Sequence, residues 1–90
     1  MKKYLISFYW EEDVNSKVAI AIKSKIEQLS SRSWIQIFPN LLLIKSEQSI
    51  NDIYSGIEAV SSDKRFIITE ISDIATNEER SNNLLEKHEY

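Results

Sequence analysis

Few side chains in this 90-residue sequence have the type and spacing that chemistry requires. The most suggestive are the consecutive acids Glu11, Glu12 and Asp13. Carboxylate oxygens suit a hard divalent cation, and two copies of such a run brought together in a dimer suffice to bind Mg²⁺ or Mn²⁺. The same acids ahead of a helix also match its dipole and supply a cap, which is their more ordinary use. Tyr9, Trp10 and Trp34 can stack on a ligand or fill a core or an interface. Asp63-Lys64-Arg65 can touch phosphates or simply form a turn before a strand. His88 is the single histidine; it lacks companions for a zinc site and, in a polar tail, the rigid surroundings of a general base. The serines lie in no nucleophile-elbow sequence and read as caps and solvent-facing positions.

Composition narrows the chemistry further. There are no cysteines, which excludes a disulfide scaffold, a thiolate metal cluster and a cysteine nucleophile. Gly56 is the only glycine, so no glycine-rich loop can cradle phosphates. At 42% hydrophobic and 28% charged the chain reads as globular. Ser7 and the acids from Glu11 end the first apolar stretch too soon for a signal peptide, and no run approaches the ~20 apolar residues of a membrane span. A cytoplasmic protein without membrane contact is the expectation. A domain of this size buries only roughly 60–65% of the surface of its unfolded chain, which makes a second copy or a partner an early suspicion.

The elements that must position these residues follow from periodicity. Residues 3–10 alternate, with Tyr4, Ile6, Phe8 and Trp10 on one side and Leu5, Ser7 and Tyr9 on the other, which predicts a strand. Val14, Val18, Ile22, Ile26 and Leu29 then recur at helical spacing, with Asp13 or Asn15 able to cap the start. Trp34 to Phe38 and Leu41 to Lys45, joined by the turn dipeptide Pro39-Asn40, predict an antiparallel hairpin. Ile50, Ile53, Tyr54, Ile57 and Val60 predict a second helix over about 49–61, with Ser49 and Asp52 resembling a capping box. Arg65 to Ile71 predicts the last strand. Beyond residue 75 the chain turns polar, and 76–90 reads as a tail that is disordered, a short helix carrying Leu84 and Leu85, or a segment docking on a partner subunit.

The order β-α-β-β-α-β with short links predicts an α+β, ferredoxin-like domain over residues 1–75. It has a four-stranded antiparallel sheet with both helices on one face. The other face is then open. Alternation assigns Tyr4, Ile6, Phe8, Ile35 and Ile37 to the helix side and Ser7, Tyr9, Trp34, Gln36 and Phe38 to the open face. Tyr9, Trp34, Gln36 and Phe38 are therefore the candidate binding or interface residues. Aromatics on such a face stack single-stranded bases or pack on a second copy. The net charge of −3 disfavours general nucleic-acid binding and favours a homodimer.

Several stretches carry a family resemblance: Lys3-Tyr4-Leu5-Ile6-Ser7, Ser33-Trp34, Asn40 to Ser46, Ile50-Asn51-Asp52-Ile53, and Arg65 to Ser72. In order and spacing they resemble the small bacterial proteins related to the CRISPR-associated adaptation protein Cas-two and to virulence-associated protein D. The resemblance implies a ferredoxin-like fold, a homodimer formed through sheet faces or edges and, in some members, metal-dependent cleavage of RNA or DNA. In those members an aspartate in a Tyr-Asp pair ending the first strand holds Mg²⁺ near the dimer axis. The matching pair here is Phe8-Tyr9, and a phenol is a poor ligand for a hard cation. The expectation is therefore a noncatalytic, Cas-two-like homodimer that binds another macromolecule, protein or nucleic acid. The alternatives are a Mg²⁺- or Mn²⁺-dependent endonuclease using Glu11, Glu12 and Asp13 across a dimer, or a component of a toxin-antitoxin system.

Overall fold

The computed structural model describes residues 1–9, 17–31, 33–61 and 64–90. Trp10, Glu11, Glu12, Asp13, Val14, Asn15 and Asp63 lie outside the described residues, and so do the cap and metal readings of the acidic run. Strand β1 spans Lys2–Phe8, helix α1 Lys17–Leu29, β2 Trp34–Phe38, β3 Leu41–Ser46, α2 Ile50–Ser61, β4 Phe66–Ile71 and α3 Glu79–Lys87. The strands pair antiparallel in the order β2-β3-β1-β4. This is the ferredoxin-like βαββαβ arrangement with a third helix added. Among the described residues, no helix is long and apolar enough to cross a membrane.

Alternation along β1 buries Tyr4, Ile6 and Phe8 together with Leu42 and Ile44 of β3. They meet Ile22, Ile26 and Leu29 of α1 and Ile53 and Ile57 of α2, so each helix buries one stripe on one sheet face. Burying each such side chain contributes about 1.5–3 kcal/mol. The Ser49 hydroxyl caps α2 by accepting the Asp52 N–H at 3.2 Å. Gly56 lets the two helices approach: a Cβ there lies 3.2 Å from Leu29 Cδ1.

Hydroxyls close the ends of these elements. Buried Ser46 donates to the Leu29 carbonyl at 2.8 Å, satisfying the last residue of α1, and accepts the Gln48 N–H at 3.1 Å. The Tyr4 hydroxyl donates to the Gln48 carbonyl at 2.8 Å. Burial pushes Tyr4 above the usual phenol range, and the negative charges of Glu70 and Asp52 add to that.

The far sheet face is not open throughout, because the polar tail forms α3 and lies across β2 and β3. Leu85 is buried there with Ile35, Ile37 and Leu43, and Leu5, Leu41, Ile71, Ile74, Leu84 and Tyr90 pack around them. The assignment of β2 is consequently reversed from the sequence expectation. Ile35 and Ile37 face α3, whereas Trp34 packs on the helix-side cluster and Gln36 sits opposite Leu42 of that cluster. The apolar pair on β2 belongs to the helix that the tail supplies.

Directional bonds fasten α3. Arg80 donates to the carbonyls of Gln36 at 2.9 Å and Ile37 at 3.1 Å. At the other end, the Tyr90 N–H donates to the Leu85 carbonyl at 2.9 Å and the Glu89 N–H to the Glu86 carbonyl at 3.2 Å. With Glu89 at φ 59°, this is a Schellman ending, and Tyr90 and Leu85 supply its apolar contact. Lys45 Nζ donates to the carbonyls of His88 at 3.1 Å and Glu89 at 2.7 Å and lies 4.5 Å from the Tyr90 ring centroid. The Tyr90 hydroxyl donates to the Ser33 carbonyl at 2.8 Å, and burial raises its pKa against the lowering effect of its hydrogen bonds.

Candidate functional site

What α3 leaves uncovered on the far face is the end of β1 and β4 around Tyr9 and Ile67, since Leu5 and Ile71 at the other end pack against its cluster. The β1–β4 register places Ser7 opposite Ile67 and Leu5 opposite Thr69, and the Tyr9 N–H extends the ladder by donating to the Arg65 carbonyl at 3.0 Å. At this end a concavity of about 500 Å³ is lined by Ser7, Tyr9, Asn40, Arg65 and Ile67, with Phe8 and Phe66 completing it. Tyr9 is 56% and Ile67 68% exposed, the latter the most exposed large apolar side chain among the described residues. The Arg65 guanidinium lies 5.7 Å from the Tyr9 ring centroid, within reach of a cation–π contact.

Among the described residues the lining offers a phenol, a guanidinium, an amide and a hydroxyl, and no carboxylate. The end of β1 thus holds a phenol beside a cation, and these residues do not fit a divalent ion. Among the described residues, no group of three His, Asp or Glu side chains is placed to hold a metal. His88 is not a solvated tail residue: it is half-buried at the C-cap of α3, with its carbonyl accepting Lys45.

Of the four predicted site residues, Tyr9 alone lines the concavity. Trp34 is half-buried on the helix side. Gln36 donates across the hairpin turn to the Pro39 carbonyl at 3.5 Å. A bulge between Gln36 and Phe38 breaks the alternation and leaves Phe38 47% exposed beside that turn. Ile67 is not among the residues the sequence singles out, and Arg65 enters there only within Asp63-Lys64-Arg65, as a phosphate contact or a turn. Their signal is the alternation of β4, where Phe66 and Ile68 pack helixward, so Ile67 and Thr69 face away.

On the helix side of β4 the exposed apolar surface continues. Tyr54, 47% exposed, lies 5.4 Å from Phe66 between ring centroids, and Ile50 is 38% exposed one turn earlier in α2. The Tyr54 hydroxyl donates to Glu58 at 2.5 Å, and this bond to a carboxylate raises its pKa. Comparison with family models, with curated proteins and with solved structures finds no match to this chain.

Proposed function

We propose that this chain is a Cas-two-like interaction protein that works as a homodimer in the cytoplasm and acts by binding another macromolecule, without catalysis. The observation that carries the reading is the uncovered end of the β1–β4 half of the sheet, where Tyr9 and Ile67 stand exposed beside a strand that has no neighbouring strand on its outer side among the described residues. Contiguous apolar surface of this kind on a small domain marks an association site, and a chain of this size gains most from a second copy. Tyr9 under Arg65, where the resembled nucleases carry a metal-binding aspartate, supports binding over cleavage. The net charge of −3 favours a protein over a nucleic acid as the further partner.

Sedimentation equilibrium at micromolar concentration tests the dimer: the expected mass is twice the 10.5 kDa of one chain, and a monomer throughout contradicts it. RNA and DNA incubated with the protein and Mg²⁺ or Mn²⁺ stay intact under this reading. Cleavage that disappears when Glu11, Glu12 and Asp13 are replaced by alanine would contradict it.

A further inference from the structure

The two edges of the sheet are finished differently. The β2 edge is broken by the bulge before Phe38, and Arg80 occupies the carbonyls of Gln36 and Ile37. Bulges and covered polar groups are the devices that stop an edge from pairing with another chain. Among the described residues strand β4 has neither: its register with β1 is unbroken from Phe66 to Ile71, and the sequence Phe-Ile-Ile-Thr-Glu-Ile contains no proline or lysine.

Its backbone is also set for a further strand. The Tyr9-to-Arg65 hydrogen bond, extended along the register, turns the backbone groups of Arg65, Ile67, Thr69 and Ile71 toward β1. The N–H and C=O groups of Phe66, Ile68 and Glu70 therefore point outward along the edge. The first half of this edge is apolar on both sides, with Ile67 on one face and Phe66, Tyr54 and Ile50 on the other, before Thr69 and Glu70.

Resting on the homodimer reading above, we infer that the partner is a second copy of this chain. It pairs β4 with β4 antiparallel about a two-fold axis at Ile67, giving a continuous eight-stranded sheet. The choice of occupant and register comes from self-complementarity. With Ile67 opposite Ile67 of the partner subunit, Phe66 meets the partner's Ile68, Arg65 meets the partner's Thr69, and Lys64 meets the partner's Glu70, joining the exposed pair that Glu70 makes with Lys2 of its own chain at 4.0 Å. The outward backbone groups of Phe66 and Ile68 then form hydrogen-bonded pairs. Ile67 falls on a non-hydrogen-bonded pair, where the Cα atoms approach to about 4.5 Å and side chains are closest. Sliding the axis to Ile68 keeps Ile68 against the partner's Ile68 but puts Glu70 against Phe66 and Ile67 against Thr69, losing the charge match and reducing the apolar pairs from three to one.

A chain without cysteine allows a direct test, because a single introduced thiol can only bridge to another copy. The expected separation at position 67 lies inside the range a disulfide tolerates. Air oxidation of full-length Ile67→Cys should give at least ~10-fold more disulfide dimer than Arg65→Cys or Thr69→Cys taken singly, whereas those two mixed should bridge to each other. Charge reversal supplies a second readout. Lys64→Glu should weaken the dimer roughly 10-fold, since the like-charge pair occurs twice, and Lys64→Glu with Glu70→Lys should restore it. A protein that sediments as a dimer but bridges preferentially through Thr69→Cys, or through Tyr9→Cys, overturns the β4 register while leaving the homodimer standing. A wild-type chain that stays monomeric overturns both.

Discussion

The β2–β3 half and the β1–β4 half of one sheet are finished in opposite ways. In the first, both faces are covered, by α1 and α2 on one side and by α3 on the other, and the outer edge is bulged and held by Arg80. In the second, the helix side is packed, the far face ends at exposed Tyr9 and Ile67, and the edge is bare. Helix α3 runs along β2, from Arg80 at the Gln36 and Ile37 carbonyls to Tyr90 at the Ser33 carbonyl. A helix about 10–12 Å wide covers only about two strands spaced ~4.8 Å apart, and it takes the strands richest in apolar far-side residues, Ile35, Ile37 and Leu43. The chain thus completes one half by itself and leaves the other half to association.

The largest effect that separates the halves should come from paired truncations on the far face. Leu43→Ala removes a side chain with no exposure and should destabilise the fold by about 2–5 kcal/mol in urea unfolding. Ile67→Ala, at 68% exposure, should change monomer stability by less than about 0.5 kcal/mol at concentrations too low for association. Equal losses at the two positions would break the distinction. Leu85→Ala should follow at about 2 kcal/mol, because it removes the buried anchor of α3 and exposes Ile35 and Ile37; increased amide exchange in β2 would show the loosening directly.

Alkaline pH probes the covered regions through their phenols. Tyr4 and Tyr90 have folded pKa values raised by burial, so the native state keeps protons that the unfolded chain releases near pH ~10. Their contribution is whole below that pH and is lost as pH rises through the folded values. The thermal midpoint should therefore fall above about pH 10, and the fall should flatten in a Tyr4→Phe, Tyr90→Phe double variant. An unchanged slope would remove these two groups from the account. The smallest effect is a gain: Glu89 sits at φ 59°, a region that glycine enters without penalty, so Glu89→Gly should stabilise α3 by up to about 1 kcal/mol.

The helix-side half was legible because its signals are local. Alternation in Tyr4, Ile6 and Phe8, the stripe from Ile22 to Leu29 and the Ser49 cap each follow from neighbouring residues and reappear as elements of the core. The face of β2 was not legible, since Ile35 and Ile37 look like natural partners of α1 and α2 until a third helix claims them. That helix is announced only by Leu84 and Leu85 in a polar stretch, and its docking depends on Lys45, Arg80 and Tyr90 bonding to carbonyls far away in sequence. Tyr9 could be read from β1 alone. Arg65 and Ile67 join it only through the β1–β4 register, a tertiary fact that the consecutive apolar residues Phe66, Ile67 and Ile68 conceal.

The central claim is that the bare half of the sheet is completed by a second copy. Sedimentation equilibrium of the wild-type chain beside Ile67→Lys, over a range from low to high micromolar, tests it most directly. The account predicts a wild-type dimer and an Ile67→Lys monomer with unchanged circular dichroism. A wild-type monomer across the range, or an Ile67→Lys dimer as tight as wild type, would contradict it.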